Sequence, residues 1–68
     1  MNVNVRKLRG RIREYYDTQA DFAVAMGKSP ATLSQKLNGK VDFDRKEIET
    51  ICNLLHIPAV DIPVYFFD

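Results

Sequence analysis

Few side chains in this sequence of 68 residues could do covalent chemistry. It has one cysteine, Cys52, and one histidine, His56. An activated nucleophile needs a base within reach, and a zinc site needs three or four Cys, His or carboxylate ligands. One thiol and one imidazole supply neither, and no glycine-rich phosphate loop is present. No enzyme, catalytic residue, metal, cofactor or small-molecule substrate is therefore expected. Cys52 lies among apolar residues at helical spacing and reads as a small buried hydrophobe. The chemistry that remains is non-covalent: charge and hydrogen bonding.

The net charge of +1 conceals a division. Residues 1–40 hold eight basic side chains (Arg6, Lys7, Arg9, Arg11, Arg13, Lys28, Lys36 and Lys40) against three acids, a net of +5. Residues 41–68 hold Arg45 and Lys46 against six acids, a net of −4. A basic half points to a polyanion such as nucleic acid; the plainer reading of Arg6, Arg11 and Arg13 is a solvated helix face. No stretch is long and apolar enough to span a membrane, and the basic N-terminus lacks the apolar run of a secretion signal.

Those residues must be carried by a short chain. One domain over residues 1–68 is expected, at 46% hydrophobic and 28% charged residues a globular composition. The spacing predicts a string of helices and no strand. Asn4 caps a first helix to about Tyr16, with Val5, Leu8, Ile12 and Tyr15 or Tyr16 on one stripe. Thr18 caps a second, with Asp21 as a short version of the capping box, and Gly27 ends it. Ser29 and Pro30 open a third, which stops at Asn38-Gly39. Asp44 and Glu47 open a fourth, with Ile48, Ile51, Cys52 and Leu55 inward, His56 in its last turn and Pro58 beyond. Residues 59–67 read as a short fifth helix or turn. The closing Tyr65, Phe66 and Phe67 are either core or a partner interface.

The informative stretch is Thr18–Gly39, TQADFAVAMGKSPATLSQKLNG. A helix–turn–helix needs a small residue where the two helices cross, and Ala23 supplies it. It needs glycine at the turn, Gly27, and an apolar lock on the second helix, Leu33. With Leu33 and Leu37 inward, the outer side of that helix carries Ala31, Thr32, Gln35 and Asn38, with Ser34 and Lys36 flanking.

This stretch resembles the helix–turn–helix of phage repressors and Cro proteins. From LRGRI through ICNLLHIP to the final YFF, the chain is similar to small Cro-like proteins of phages of Gram-positive bacteria. The resemblance implies an all-α, compact four- to five-helix bundle of the lambda-repressor-like kind. It implies double-stranded operator DNA as partner, a homodimer, and a place in the bacterial cytoplasm at the nucleoid. By the same carry-over, Ala31, Thr32, Ser34 and Gln35 face base edges in the major groove. Gln35 suits adenine, and Ala31 and the Thr32 methyl suit thymine. Gln19, Ser29, Asn38 and Lys40 match backbone-contact positions. Lys36 departs from the family, which usually has an apolar residue there.

Two functions follow. The first is a sequence-specific DNA-binding regulator of the Cro type. The second is an antirepressor: some small phage proteins of this shape bind the repressor and cover its DNA-reading surface. The acidic Asp42, Asp44, Glu47 and Glu49 would then mimic phosphate charge, and the aromatic end would help form the interface. The basic half places DNA binding first.

Overall fold

The computed structural model describes residues 3–67. Five α-helices follow one another: α1 (Val5–Tyr15), α2 (Gln19–Ala25), α3 (Pro30–Leu37), α4 (Arg45–Leu55) and, after a 3₁₀ turn at Ala59–Asp61, α5 (Ile62–Phe66). No strand occurs among the described residues, so the expected all-α bundle is what forms. None of these helices is long and apolar enough to cross a membrane.

The starts are set by side chains. Asn4, Thr18, Ser29 and Asp44 each accept a hydrogen bond from the backbone N–H three residues on. Each bond satisfies a donor that the helix leaves open. At α4 the exchange is reciprocal, since Glu47 Oε1 also accepts from the Asp44 N–H. At α2 the shorter Asp21 contributes only its backbone N–H, at 3.0 Å from Thr18 Oγ1.

The ends of α2, α3 and α4 share one device. Residues Gly27, Gly39 and His56 take positive φ of 73°, 81° and 54°. The next N–H then reaches back five residues: Lys28 to the Ala23 carbonyl, Lys40 to that of Gln35, and Ile57 to that of Cys52. This is the left-handed C-terminal cap, which glycine enters without steric cost. His56 is a non-glycine residue in that conformation, where the sequence suggested a place in the helical last turn. Its position is tied from outside. Arg11 donates from Nε to the Leu55 carbonyl at 2.8 Å and from Nη2 to the His56 carbonyl at 2.7 Å, and the His56 ring lies 5.1 Å from that of Tyr15. Arg11 therefore caps α4, with its cation at the negative end of the helix dipole. It does not belong to a free basic face.

The core draws on every helix: Leu8 and Ile12 of α1, Phe22 and Ala23 of α2, Leu33 and Leu37 of α3, Ile51, Cys52 and Leu55 of α4, and Tyr65 and Phe66 of α5, with Phe43 and Ile57 between elements. Of the two readings of the aromatic end, core is the one that Tyr65 and Phe66 take, and neither is free to form a partner interface. Tyr65 and Phe66 are buried; the Phe66 ring meets Phe43 edge-on, and the Tyr65 carbonyl accepts from the Asn4 N–H at 2.8 Å. A chain this small has few large apolar groups to spare, so its last helix is used to close the core. Only Phe67 stays outside, 58% exposed.

Two glycine substitutions should have opposite signs. A Cβ at Gly10, in the middle of α1, or at Gly27 meets nothing within 4 Å. Gly10→Ala should therefore stabilise by about 0.5–1 kcal/mol through helix propensity alone. Gly27→Ala should destabilise by about 1–2 kcal/mol, because alanine resists the left-handed region. Urea unfolding midpoints of the two variants check both signs.

Candidate functional site

The helix–turn–helix is assembled as its sequence requires. Ala23 and Leu33 are buried where α2 and α3 meet, and Gly27 turns the chain toward the Ser29 cap. Leu33 and Leu37 point inward, which leaves Ala31 and Gln35 exposed one helical turn apart. Thr32 and Ser34 are half-buried at the edges of that strip. Ser29 Oγ accepts from the Thr32 N–H at 3.2 Å and donates to Thr32 Oγ1 at 2.9 Å, so both hydroxyls are engaged in the helix start.

The four residues matched to phosphate-contact positions are more scattered. Ser29 stands at the N-terminal end of α3, and Asn38 and Lys40 at its C-terminal end. Asn38 Oδ1 accepts from Arg9 Nη2 at 3.3 Å, which ties the end of α3 to α1. Gln19, half-buried, lines a shallow cleft with Arg9, Arg13 and Asp17. Lys40 is exposed.

The charges are arranged differently from the sequence expectation. Glu47 is buried, with 5% of its surface exposed. Its Oε1 accepts from Lys36 Nζ at 2.7 Å and from the Asp44 N–H at 2.8 Å. Its Oε2 faces Lys28 Nζ at 3.3 Å. Lys36 Nζ also lies 3.4 Å from the Asp42 carbonyl and 6.0 Å from the centre of the Phe43 ring, and its side chain is only 13% exposed. Burial pushes the Glu47 carboxyl up. The Asp44 N–H, the two lysine contacts and the Lys36 charge outweigh that and hold it below its ordinary value of 4.5.

Two consequences follow for surface charge. Glu47 cannot mimic phosphate toward a partner, because it faces inward; Asp42, Asp44 and Glu49 remain exposed. And α3, whose one charged side chain is Lys36, presents an outer strip of small and neutral groups. One half of the signal for this clamp was in the sequence. Phe43, Glu47, Ile51 and Leu55 recur every four residues, which puts a carboxylate on the inward stripe of α4. Lys36, three residues after Leu33, is on the inward-leaning side of α3.

Cys52 is buried, and burial raises its thiol pKa, which suits a packing role better than a nucleophilic one. No cluster of three or more metal-ligating side chains occurs among the described residues.

Comparison with known proteins adds to this geometry. A profile of the family described as protein of unknown function (DUF739) matches residues 1–68. Among solved structures, the chain is similar to the modulator of repression (MOR) of the temperate bacteriophage TP901-1 from Lactococcus lactis. The two are 43% identical with a TM-score of 0.86, over 100% of this chain and 92% of that one. Among curated proteins none matches the chain.

The clamp makes stability depend on pH. Because the folded Glu47 carboxyl titrates below 4.5, its contribution is complete above that pH and is lost as pH falls through the lowered value. Near neutral pH, Glu47→Gln should cost about 2–3 kcal/mol, the range for hydrogen bonds to charged groups. The gap in urea midpoint between variant and parent should narrow as the pH is taken from 7 toward 3. A gap that stays constant across that range would show that the charge of Glu47 contributes nothing.

Proposed function

The chain belongs to the DUF739 family, and from that premise we propose that it is a phage modulator of repression, acting by binding a phage repressor and loosening that repressor's hold on operator DNA. The observation that carries the reading is the likeness, end to end and at 43% identity, to a protein described as a modulator of repression. Of the resemblance read from the sequence, the likeness to a phage regulatory protein is supported, and membership of the Cro-like family is not. The antirepressor reading, placed second from the sequence, becomes the first.

The surface supports it. Direct readout of DNA rests on long polar or basic side chains aimed at base edges, framed by cations on the phosphates. Here the outer strip of α3 carries Ala31 and Gln35, and its one lysine is turned to Glu47. Such a strip suits contact with another protein's surface, where small side chains allow close approach. The exposed Asp42, Asp44 and Glu49 then face the basic, DNA-reading side of the repressor. Catalysis, a metal and a cofactor have no part in this role, and its place is the cytoplasm of the bacterial host.

Operator binding remains the second reading, favoured by the helix–turn–helix itself and by the outward Gln35. On that reading the protein acts as a dimer with two recognition helices on a palindromic site.

One titration separates the two. Labelled operator duplex carrying the repressor of the same phage is followed by fluorescence anisotropy as this protein is added. Release of repressor, with no binding of this protein alone to the duplex, is the expected outcome. The double variant Asp42→Lys, Glu49→Lys should weaken release by about tenfold. Preference of the protein alone for operator over a scrambled duplex, with repressor undisturbed, would return Gln35 and the Cro-type reading to first place.

A further inference from the structure

We propose that Glu47 acts as a built-in substitute for a DNA phosphate, pairing with the two lysines nearest the helix–turn–helix turn and thereby withholding them from nucleic acid. The inference concerns the protein's affinity for DNA. It stands apart from the repressor reading, because it is tested without a repressor.

The argument begins with position. Lys28 is the residue between Gly27, which turns the chain, and Ser29, which caps α3; Lys36 is the one charged side chain on α3. With the exposed Lys40, these are the cations that the turn and α3 could offer to a DNA backbone. Both Nζ atoms instead converge on one carboxylate, at 3.3 and 2.7 Å. A carboxylate offers two acceptor oxygens to ammonium groups much as a phosphate does. Lys36 is held inside, while Lys28, 37% exposed, is held at the rim. The carboxylate is 6% exposed and anchored by the Asp44 N–H, while Lys36 is held further by the Asp42 carbonyl and the Phe43 ring.

The rest of the basic half is reduced in the same way. Arg11 is spent on the carbonyls ending α4, and Arg9 reaches Asn38. Of the eight basic residues before position 41, Lys28, Lys36 and Arg11 are thus turned toward partners inside the protein. The +5 of that half overstates the charge available to a polyanion.

Ion release gives the size of the effect. Each phosphate neutralised by a cation adds about −0.9 to the slope of log affinity against log salt. Freeing two lysines should therefore steepen the slope by about 2.

The test has two parts. In the unmodified protein, brief acetylation with an N-hydroxysuccinimide ester, read lysine by lysine by mass spectrometry, should label Lys36 slowest, Lys28 next, and Lys40 and Lys46 fastest. Equal labelling of Lys36 and Lys40 would mean that the clamp is open in solution, and would overturn the proposal without any variant. In the second part, Glu47→Gln is compared with Glu49→Gln on a random-sequence duplex at several salt concentrations. Glu49 is exposed on the same helix, so its variant makes the same change in net charge. The expected result is a gain in affinity of about tenfold or more for Glu47→Gln, with a slope steeper by about 2, and less than half that change in slope for Glu49→Gln. Circular dichroism establishes that each variant is folded. A folded Glu47→Gln whose slope matches that of Glu49→Gln would show that net charge alone is at work, and would sink the idea. Should Glu47→Gln fail to fold, the acetylation order decides the matter.

Discussion

The arrangement of this fold depends on one carboxylate. Glu47 belongs at once to the start of α4, to the turn between α2 and α3, and to the inner side of α3. A buried charge is costly unless it is matched; here the Asp44 N–H and Lys36 hydrogen-bond Oε1, while the buried Oε2 has no hydrogen bond and is met only by the Lys28 charge at 3.3 Å. The start of α4 is thereby tied to α3 and to the turn before it. A hydrophobic side chain at the same place would pack, but it would not say which lysine goes where. The ion cluster makes the placing of α3 against α4 specific, and so sets the face that α3 turns outward.

The ends of the helices show a second constraint. Helices of seven or eight residues, such as α2 and α3, are too short to persist alone. They are held by side-chain caps at the start, by left-handed turns at the finish and by a core that takes a large apolar group from each element. Where glycine is absent, at His56, outside contacts replace it: the Arg11 guanidinium on two carbonyls and the Tyr15 ring beside the imidazole. A cation that composition counts toward nucleic-acid binding is thus part of the scaffold. The same economy explains the aromatic end, where Tyr65 and Phe66 close a core that a small chain cannot otherwise fill.

Together these features separate the shape of a helix–turn–helix from the use usually made of it. The two helices and their turn are complete, yet Lys36 is turned inward, Lys28 is paired with Glu47, and the outer strip of α3 is small and neutral. Kinship with a phage modulator of repression fits a surface of this kind, since contact with a protein asks for shape where contact with DNA asks for free cations.

The sequence by itself determined the elements. Caps at Asn4, Thr18, Ser29 and Asp44, the glycine at the turn, and the apolar spacing of Leu8, Ile12, Phe22, Leu33, Ile51 and Leu55 are local signals, and local signals can be read from neighbours three or four residues apart. They were enough for the all-α fold, the helix–turn–helix and the outward placing of Ala31 and Gln35. The period of α4 turns Glu47 inward, but its partners, and the destinations of Lys28, Lys36 and Arg11, were decided only by the tertiary structure. Glu47 lies 11 residues from Lys36 and Arg11 lies 44 from Leu55, and no helical period connects positions so far apart. A long charged side chain is written the same way whether it ends in water or on a buried partner. Which of the two it does is settled by what another helix brings within its reach.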